Sequence, residues 1–222
     1  MKFVLYYNNV CPGARACRIL LRHLETDYSE VSVNLKAKEQ MSDEFLKMNP
    51  DHCVPTLKAM NPRVEEDWHL WESRCIMKYL CEMNEGDELM GDSLRQQQLI
   101  DRWLYWDLGT FTPKMGAVFY PKAFRKEEPK EEDVTALHEK LKYLNDHLGK
   151  DKMGDDVMFL AGCNPSVADL SLAMLVEQTR LVVDTDKYKH LERWMDALAE
   201  EFGEAWEEVM AELHEWKDSQ GL

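Results

Sequence analysis

The sequence predicts an αβ domain followed by an all-helical one. Three observations carry that prediction. Short β-type runs alternate with helical periods over the first 83 residues. From residue 93 the strand signals stop and long helical periods take over. Between them, Asn84 to Asp92 is a Gly- and acid-rich connector, the composition that separates domains. The expected division is an N-terminal domain over 1–83, a linker over 84–92 and a helical domain over 93–222.

Residues 3–7 read as a short buried strand. Ala14 to Glu25 follows, with Ile19, Leu20, Leu21 and Leu24 interleaved with Arg18, Arg22 and His23, a pattern that suits a helix covering one face of a sheet. Tyr28 to Leu35 alternates, with Val31, Val33 and Leu35 on one side, which predicts a strand. A β-α-β opening implies parallel strands joined by a right-handed crossover. Ser42 to Lys47 predicts a short helix, ended by Asn49-Pro50. Val54 to Ala59 and Trp68 to Trp71 predict two more strands, with a polar, turn-rich segment from Met60 to Asp67 between them. Ser73 to Met83 predicts a helix on Ile76, Met77 and Leu80. The order is βαβαββα, that of a thioredoxin-like domain.

In the second half, helical periods run from Leu94 to Phe119, Val134 to Leu148, Val167 to Val182 and Leu191 to Trp216. Pro121 and the charged stretch Arg125 to Asp133 separate the first two. Before the third, Ser166 can accept from the amide three residues on, while Asp169 can reach back to the amide of Ser166 and favours the positive helix end.

The net charge of −15 argues against nucleic acid and against an anionic membrane surface as partners, because both select basic proteins. No apolar run reaches the roughly 18 residues needed to span a bilayer. The run from Met1 to Tyr7 is too short for a signal peptide. Six cysteines stand at 11, 17, 53, 75, 81 and 163, with no CxxC pair and no His/Cys cluster at zinc-finger spacing, so no metal site is expected. A cytoplasmic protein with reduced thiols is the expectation.

Three short stretches carry chemistry. In Val54-Pro55-Thr56-Leu57, a cis Pro55 would turn the backbone of Val54 outward to pair with an extended peptide ligand. In Trp71-Glu72-Ser73-Arg74, a strand end becomes a helix and offers polar groups to a small acidic peptide. Cys11-Pro12-Gly13 sets a thiol at the start of the first helix.

Together with Leu35 to Gln40, Glu44 to His52, Trp71 to Leu80, Arg102 to Thr110, Phe119-Tyr120-Pro121 and Ser166 to Leu170, these stretches resemble the delta- and theta-class glutathione transferases of arthropods, in order and spacing, over nearly the whole chain. The resemblance implies the glutathione transferase fold, a homodimer, and glutathione as co-substrate with no prosthetic group. It also implies small hydrophobic electrophiles as the second substrate. Val54 and Pro55 would bind the cysteinyl part of glutathione. Glu72, Ser73 and Arg74 would bind the γ-glutamyl end, and His52 would lie near the glycyl end. The family commonly has a second His where this chain has Gln40, which can donate to a carboxylate but carries no charge.

Delta and theta enzymes use a Ser after the first strand, and this chain has no Ser or Thr before Cys17. The corresponding position falls on Cys11, and Val10-Cys11-Pro12-Gly13-Ala14-Arg15 looks like the omega-class pattern. A Cys at a helix N-terminus is expected to have a lowered pKa, and Arg15 would help. Such a thiolate would run thiol transfer or dehydroascorbate reduction. Tyr6 or Tyr7 could instead donate to the glutathione sulfur, only one of them facing the site. Asn8 or Asn9 could do so weakly. The electrophile pocket is expected along the helix from Leu94, with Leu108, Thr112, Met115 and Phe119 at helical spacing. The expected activity is transfer of glutathione to small electrophiles, with Cys11-dependent thiol transfer as a second mode. A non-catalytic binding protein of the same fold is the competing class.

Overall fold

The computed structural model describes residues 2–60, 68–83, 88–149 and 158–222. The segment 61–67 between the expected third and fourth strands, and residues 84–87 of the expected linker, lie outside the described residues. The chain divides into two compact units. One comprises Met1–Gly86 with Glu204–Leu213; the other comprises Asp87–Gly203 with His214–Leu222.

In the first unit the strands β1 (Lys2–Tyr7), β2 (Tyr28–Ser32), β3 (Thr56–Met60) and β4 (Trp68–Trp71) form one sheet in the order β2-β1-β3-β4. β1 pairs in parallel with β2 and antiparallel with β3, and β3 pairs antiparallel with β4. Helices α1 (Pro12–His23) and α3 (Ser73–Met83) pack together, and α2 (Asp43–Met48) is a short helix after β2. The core joins Phe3, Leu5 and Leu57 of the sheet to Ile19, Leu20 and Leu21 of α1 and Ile76, Met77 and Leu80 of α3. Each such side chain contributes about 1.5–3 kcal/mol by leaving water.

Two strand expectations are corrected. β2 stops at Ser32 rather than Leu35, because its partner β1 ends at Tyr7, the residue paired with Ser32. Val31 is exposed and Val33 buried, so the two do not share a buried face as the alternation predicts. β3 begins at Thr56 rather than Val54, since Pro55 has no N–H to give to the ladder.

The second unit holds α4 (Leu94–Trp106), α5 (Thr112–Tyr120), α6 (Glu131–His147), α7 (Val167–Arg180) and most of α8 (Lys189–Gln220). The single helix expected over 94–119 is divided by a wide π-type turn at Asp107–Phe111, and a second wide turn at Pro121–Arg125 carries the helical path past Pro121. The helix expected over 191–216 is also broken: Gly203 sits at φ 46°, ψ −127°, which a residue with a side chain avoids. No helix among the described residues is long and apolar enough to cross a membrane.

α7 is buried on nearly every side. Its start is fixed as the sequence predicts: Asp169 N–H donates to Ser166 Oγ at 3.4 Å, and Ser166 N–H donates to Asp169 Oδ2 at 3.0 Å. Asp169 also accepts from Leu160 N–H at 2.8 Å and from Trp194 Nε1–H at 2.9 Å. One fully buried carboxylate thus ties the cap, the preceding loop and α8 together. We expect Asp169→Ala to leave those donors unsatisfied and to lower stability by about 3 kcal/mol or more, read from urea unfolding.

Candidate functional site

The loop after β1 is held by its own asparagines. Asn8 donates from Nδ2 to Val33 C=O at 3.0 Å, its Oδ1 accepts from Val10 N–H at 3.1 Å, and its backbone C=O accepts from Cys11 N–H at 3.0 Å. Cys11 caps α1 in extended conformation, and Pro12 occupies the first helical position, where a missing N–H costs nothing. The Cys11 thiol donates to Val54 C=O at 3.2 Å.

Val54 stands in a turn organised by buried Asn49. Asn49 Nδ2 donates to Cys53 C=O at 3.0 Å and to Thr56 Oγ1 at 2.8 Å, and Thr56 Oγ1 donates to the same Cys53 C=O at 2.9 Å. The Val54-Pro55 peptide is cis, as the sequence reading proposed. His52 is exposed at φ 44°.

Glu72 lies between β4 and α3 at φ 69°, a left-handed conformation that non-glycine residues adopt rarely. Its side chain is exposed, while Ser73, which opens α3, is buried. Arg74 Nη1 donates to Ser73 Oγ at 3.4 Å.

The three segments meet at Gly13. A Cβ there would lie 2.5 Å from Ser73 Oγ, 2.8 Å from Ser73 Cβ and 3.7 Å from Pro55 Cδ. The start of α1 therefore brings Cys11, Val54, Pro55 and Ser73 together. Gln40 is half-buried in a short 3₁₀ turn, and its buried amide oxygen accepts from no protein donor among the described residues. Tyr6 packs edge-on against Phe45 at 6.0 Å, whereas the ring of Tyr7 lies under the Arg18 guanidinium at 4.2 Å.

The expectation of a lowered Cys11 pKa is corrected. Burial pushes the thiol up, more than the amides of Ala14 and Gly13 and the charge of Arg15 pull it down, and Cys53 nearby adds to the rise. The helix start does act on the sulfur, but desolvation wins.

Sequence reasoning missed the groups that hold the loop in place. Arg15 is fully buried and donates from Nη1 to Asn9 C=O at 2.8 Å and Val10 C=O at 3.2 Å. Asn9 accepts at Oδ1 from Arg18 Nη1 at 2.7 Å and donates from Nδ2 to Val209 C=O at 3.2 Å. Arg15, Arg18 and Arg22 spaced along one face-covering helix are the available signal for this; no local pattern points to residues 204–213.

In the helical unit, Met115 and Phe119 are core residues, Thr112 is half-buried with Oγ1 at 3.5 Å from Asp107 Oδ1, and Leu108 is exposed. The wide turn at Asp107–Phe111 changes the spacing of Leu108 relative to the other three, which lie within α5. Phe119 packs on Tyr120, Phe124 and Trp216, and Tyr120 and Phe124 leave much of their rings exposed.

The N-terminal domain model of the glutathione S-transferases matches residues 1–82, and their C-terminal domain model matches residues 127–197. Glutathione S-transferase D6 of Drosophila melanogaster is 29% identical over 215 residues, covering 96% of this chain and 94% of the relative. The solved structure of glutathione transferase BmGSTD1 of Bombyx mori is 30% identical, with a TM-score of 0.80, covering 91% of this chain and 89% of that one. The chain belongs to the glutathione S-transferase family. A delta-class glutathione transferase of Nilaparvata lugens is similar over more of the length, with 26% identity, a TM-score of 0.85, and 98% of this chain and 99% of that one covered. The enzyme therefore has the glutathione transferase fold, a thioredoxin-like domain followed by a helical one.

Two outcomes follow for the site. Gly13→Ala should cost about 1–3 kcal/mol of stability by forcing Cβ into Ser73, measured by thermal or urea unfolding. Carbamidomethylation of Cys11 by iodoacetamide should rise with pH through a midpoint above that of an ordinary cysteine thiol, because only the thiolate reacts and burial disfavours it.

Proposed function

We propose that the enzyme binds glutathione at the converging turns of the αβ unit, with Cys11 meeting the glutathione sulfur, and transfers it to small hydrophobic electrophiles. The observation that carries this reading is the convergence of the Cys11 thiol, the Val54 carbonyl and the Ser73 hydroxyl at the start of α1. Val54 and Pro55 take the cysteinyl part of the ligand. Ser73 and the first amides of α3 take the γ-glutamyl carboxylate, Glu72 pairs with its ammonium, and Arg74 supports the same end. Gln40 and His52 serve the glycyl end. Cys11 in its thiol form donates a weak hydrogen bond to the glutathione thiolate, whose negative charge the helix N-terminus also favours. Tyr6 and Tyr7 are the fallback donors.

The electrophile end of the reaction belongs, in this reading, to the helical unit: Leu108, Thr112, Met115 and Phe119, with the exposed rings of Tyr120 and Phe124 adding apolar surface beside Phe119. Glutathione is the co-substrate and no prosthetic group takes part. The enzyme acts as a cytoplasmic homodimer.

A second reading, thiol transfer, is favoured by one observation: the Cys11 thiol stands at the N-terminus of α1. In that mode the Cys11 thiolate attacks the glutathione sulfur of a mixed disulfide, forming a Cys11–glutathione disulfide, and the substrate sulfur leaves as a thiolate. A second glutathione thiolate then attacks the Cys11 adduct and releases glutathione disulfide with Cys11 restored.

Turnover separates the modes. Cys11→Ala should lower conjugation of a chlorodinitrobenzene-type electrophile by about 100-fold, the cost of one sulfur-stabilising donor, and abolish thiol transfer. Cys11→Ser should abolish thiol transfer but keep conjugation; full conjugation in Cys11→Ala would overturn the role of Cys11. Replacing Glu72 and Ser73 together by Ala should release the protein from immobilised glutathione, with about 100-fold or more lost in affinity.

A further inference from the structure

Arg18 lies in the middle of α1, and its side chain is 1% exposed. All five of its N–H groups are used. Nε and Nη2 donate to Glu30 at 3.1 and 2.9 Å, and Nη1 and Nη2 donate to Glu212 at 2.7 and 2.7 Å. The fifth, on Nη1, goes to Asn9 Oδ1 at 2.7 Å. Two carboxylates gripping a planar fork leave it no freedom to turn, so the direction of that fifth N–H is fixed. The ring of Tyr7 closes one face of the fork at 4.2 Å.

That N–H in turn orients the Asn9 amide, whose Nδ2 donates to Val209 C=O at 3.2 Å. Asn9 is two residues before Cys11, and its own backbone C=O is held by Arg15. Val209 and Glu212 both belong to Glu204–Leu213, the segment after Gly203 that is part of the αβ unit. The distant segment thus reaches the Cys11 loop by two routes that meet at one side chain.

We infer that Asn9 is a positioning residue for Cys11, set by Arg18 and by the Val209 carbonyl and Glu212 carboxylate of the last helix. The segment 204–213 is then part of the sulfur site and not only of the core. The inference rests on the reading of Cys11 given above, and it predicts a particular split in kinetics. Glutathione anchored at Glu72 and Ser73 keeps its affinity when the loop shifts, while the sulfur is misplaced.

The test compares wild type with Asn9→Ala, the near-isosteric Asn9→Asp, Glu212→Gln and the double Asn9→Ala/Glu212→Gln. Asn9→Asp can still accept from Arg18 but cannot donate to Val209, so it probes the relay with little loss of shape. Each single variant should lower kcat for glutathione transfer about tenfold, with KM for glutathione changed less than about threefold. Each should also speed iodoacetamide modification of Cys11, as the thiol leaves its contact with Val54. The double variant should be no worse than the worse single, because both act through one side chain. Ser171→Ala, which removes a buried hydrogen bond of 2.7 Å to Asp107 in the other unit, should lower Tm while leaving kcat and the Cys11 modification rate at wild-type values. Variants with wild-type kcat and modification rates, effects that multiply in the double, or equal effects in Ser171→Ala would each overturn the inference. If Cys11→Ala keeps full turnover, the role of Cys11 fails, and the modification rates alone then decide whether Asn9 positions the loop.

Discussion

The site depends on the absence of a side chain at residue 13. With hydrogen there, the first turn of α1 can lie against Ser73 and within reach of Pro55, closer than any Cβ allows. That approach brings a helix N-terminus, a helix-opening serine and the Cys11–Val54 contact into one small volume. Each of Cys11, Val54, Glu72 and Ser73 comes from a chain turn or the first residue of an element rather than from the middle of one. The close packing of α1 and α3 on one sheet is what holds those turns in register.

Charge is arranged around the same helix. Arg15 and Arg18 are buried in a chain of net charge −15, and each buried guanidinium is costly unless fully satisfied. Arg15 donates from Nη1 to two backbone carbonyls of the loop. Arg18 spends its donors on Glu30 and Glu212, which hold its charge firmly, and Arg22 on the next turn shares Glu30 and reaches Glu208. The loop bearing Cys11 is thus gripped by two cations, yet burial pushes the pKa of the thiol itself up. A protonated sulfur can donate, so the ligand-free site is arranged for holding a second sulfur's negative charge.

Much of this was legible from local pattern. The helix on Ile76, Met77 and Leu80 and the cap formed by Ser166 and Asp169 rest on interactions within a few residues, and the structure has them. What escaped were constraints imposed from elsewhere. β2 ends where its partner runs out of chain, although the alternation continues to Leu35. The wide turn at Asp107–Phe111 takes Leu108 out of helical spacing with Thr112, Met115 and Phe119, which keep theirs within α5. The Cys11 thiol was judged by its helix, while its pKa is governed by burial. The pairing of Arg18 with Glu212 spans 194 positions, and no window along the chain contains both.

The central claim is that bound glutathione presents its sulfur to Cys11, and the most direct measurement is the order in which cysteines react with glutathione disulfide. Peptide mapping by mass spectrometry over a time course gives that order. Cys75 and Cys163 are exposed, whereas Cys11 is half-buried with a raised pKa, so free collision favours the first two. The account predicts that Cys11 nevertheless takes up one glutathione first, and that the early adduct disappears in Cys11→Ala. Modification of Cys75 or Cys163 first, with Cys11 untouched, would contradict it.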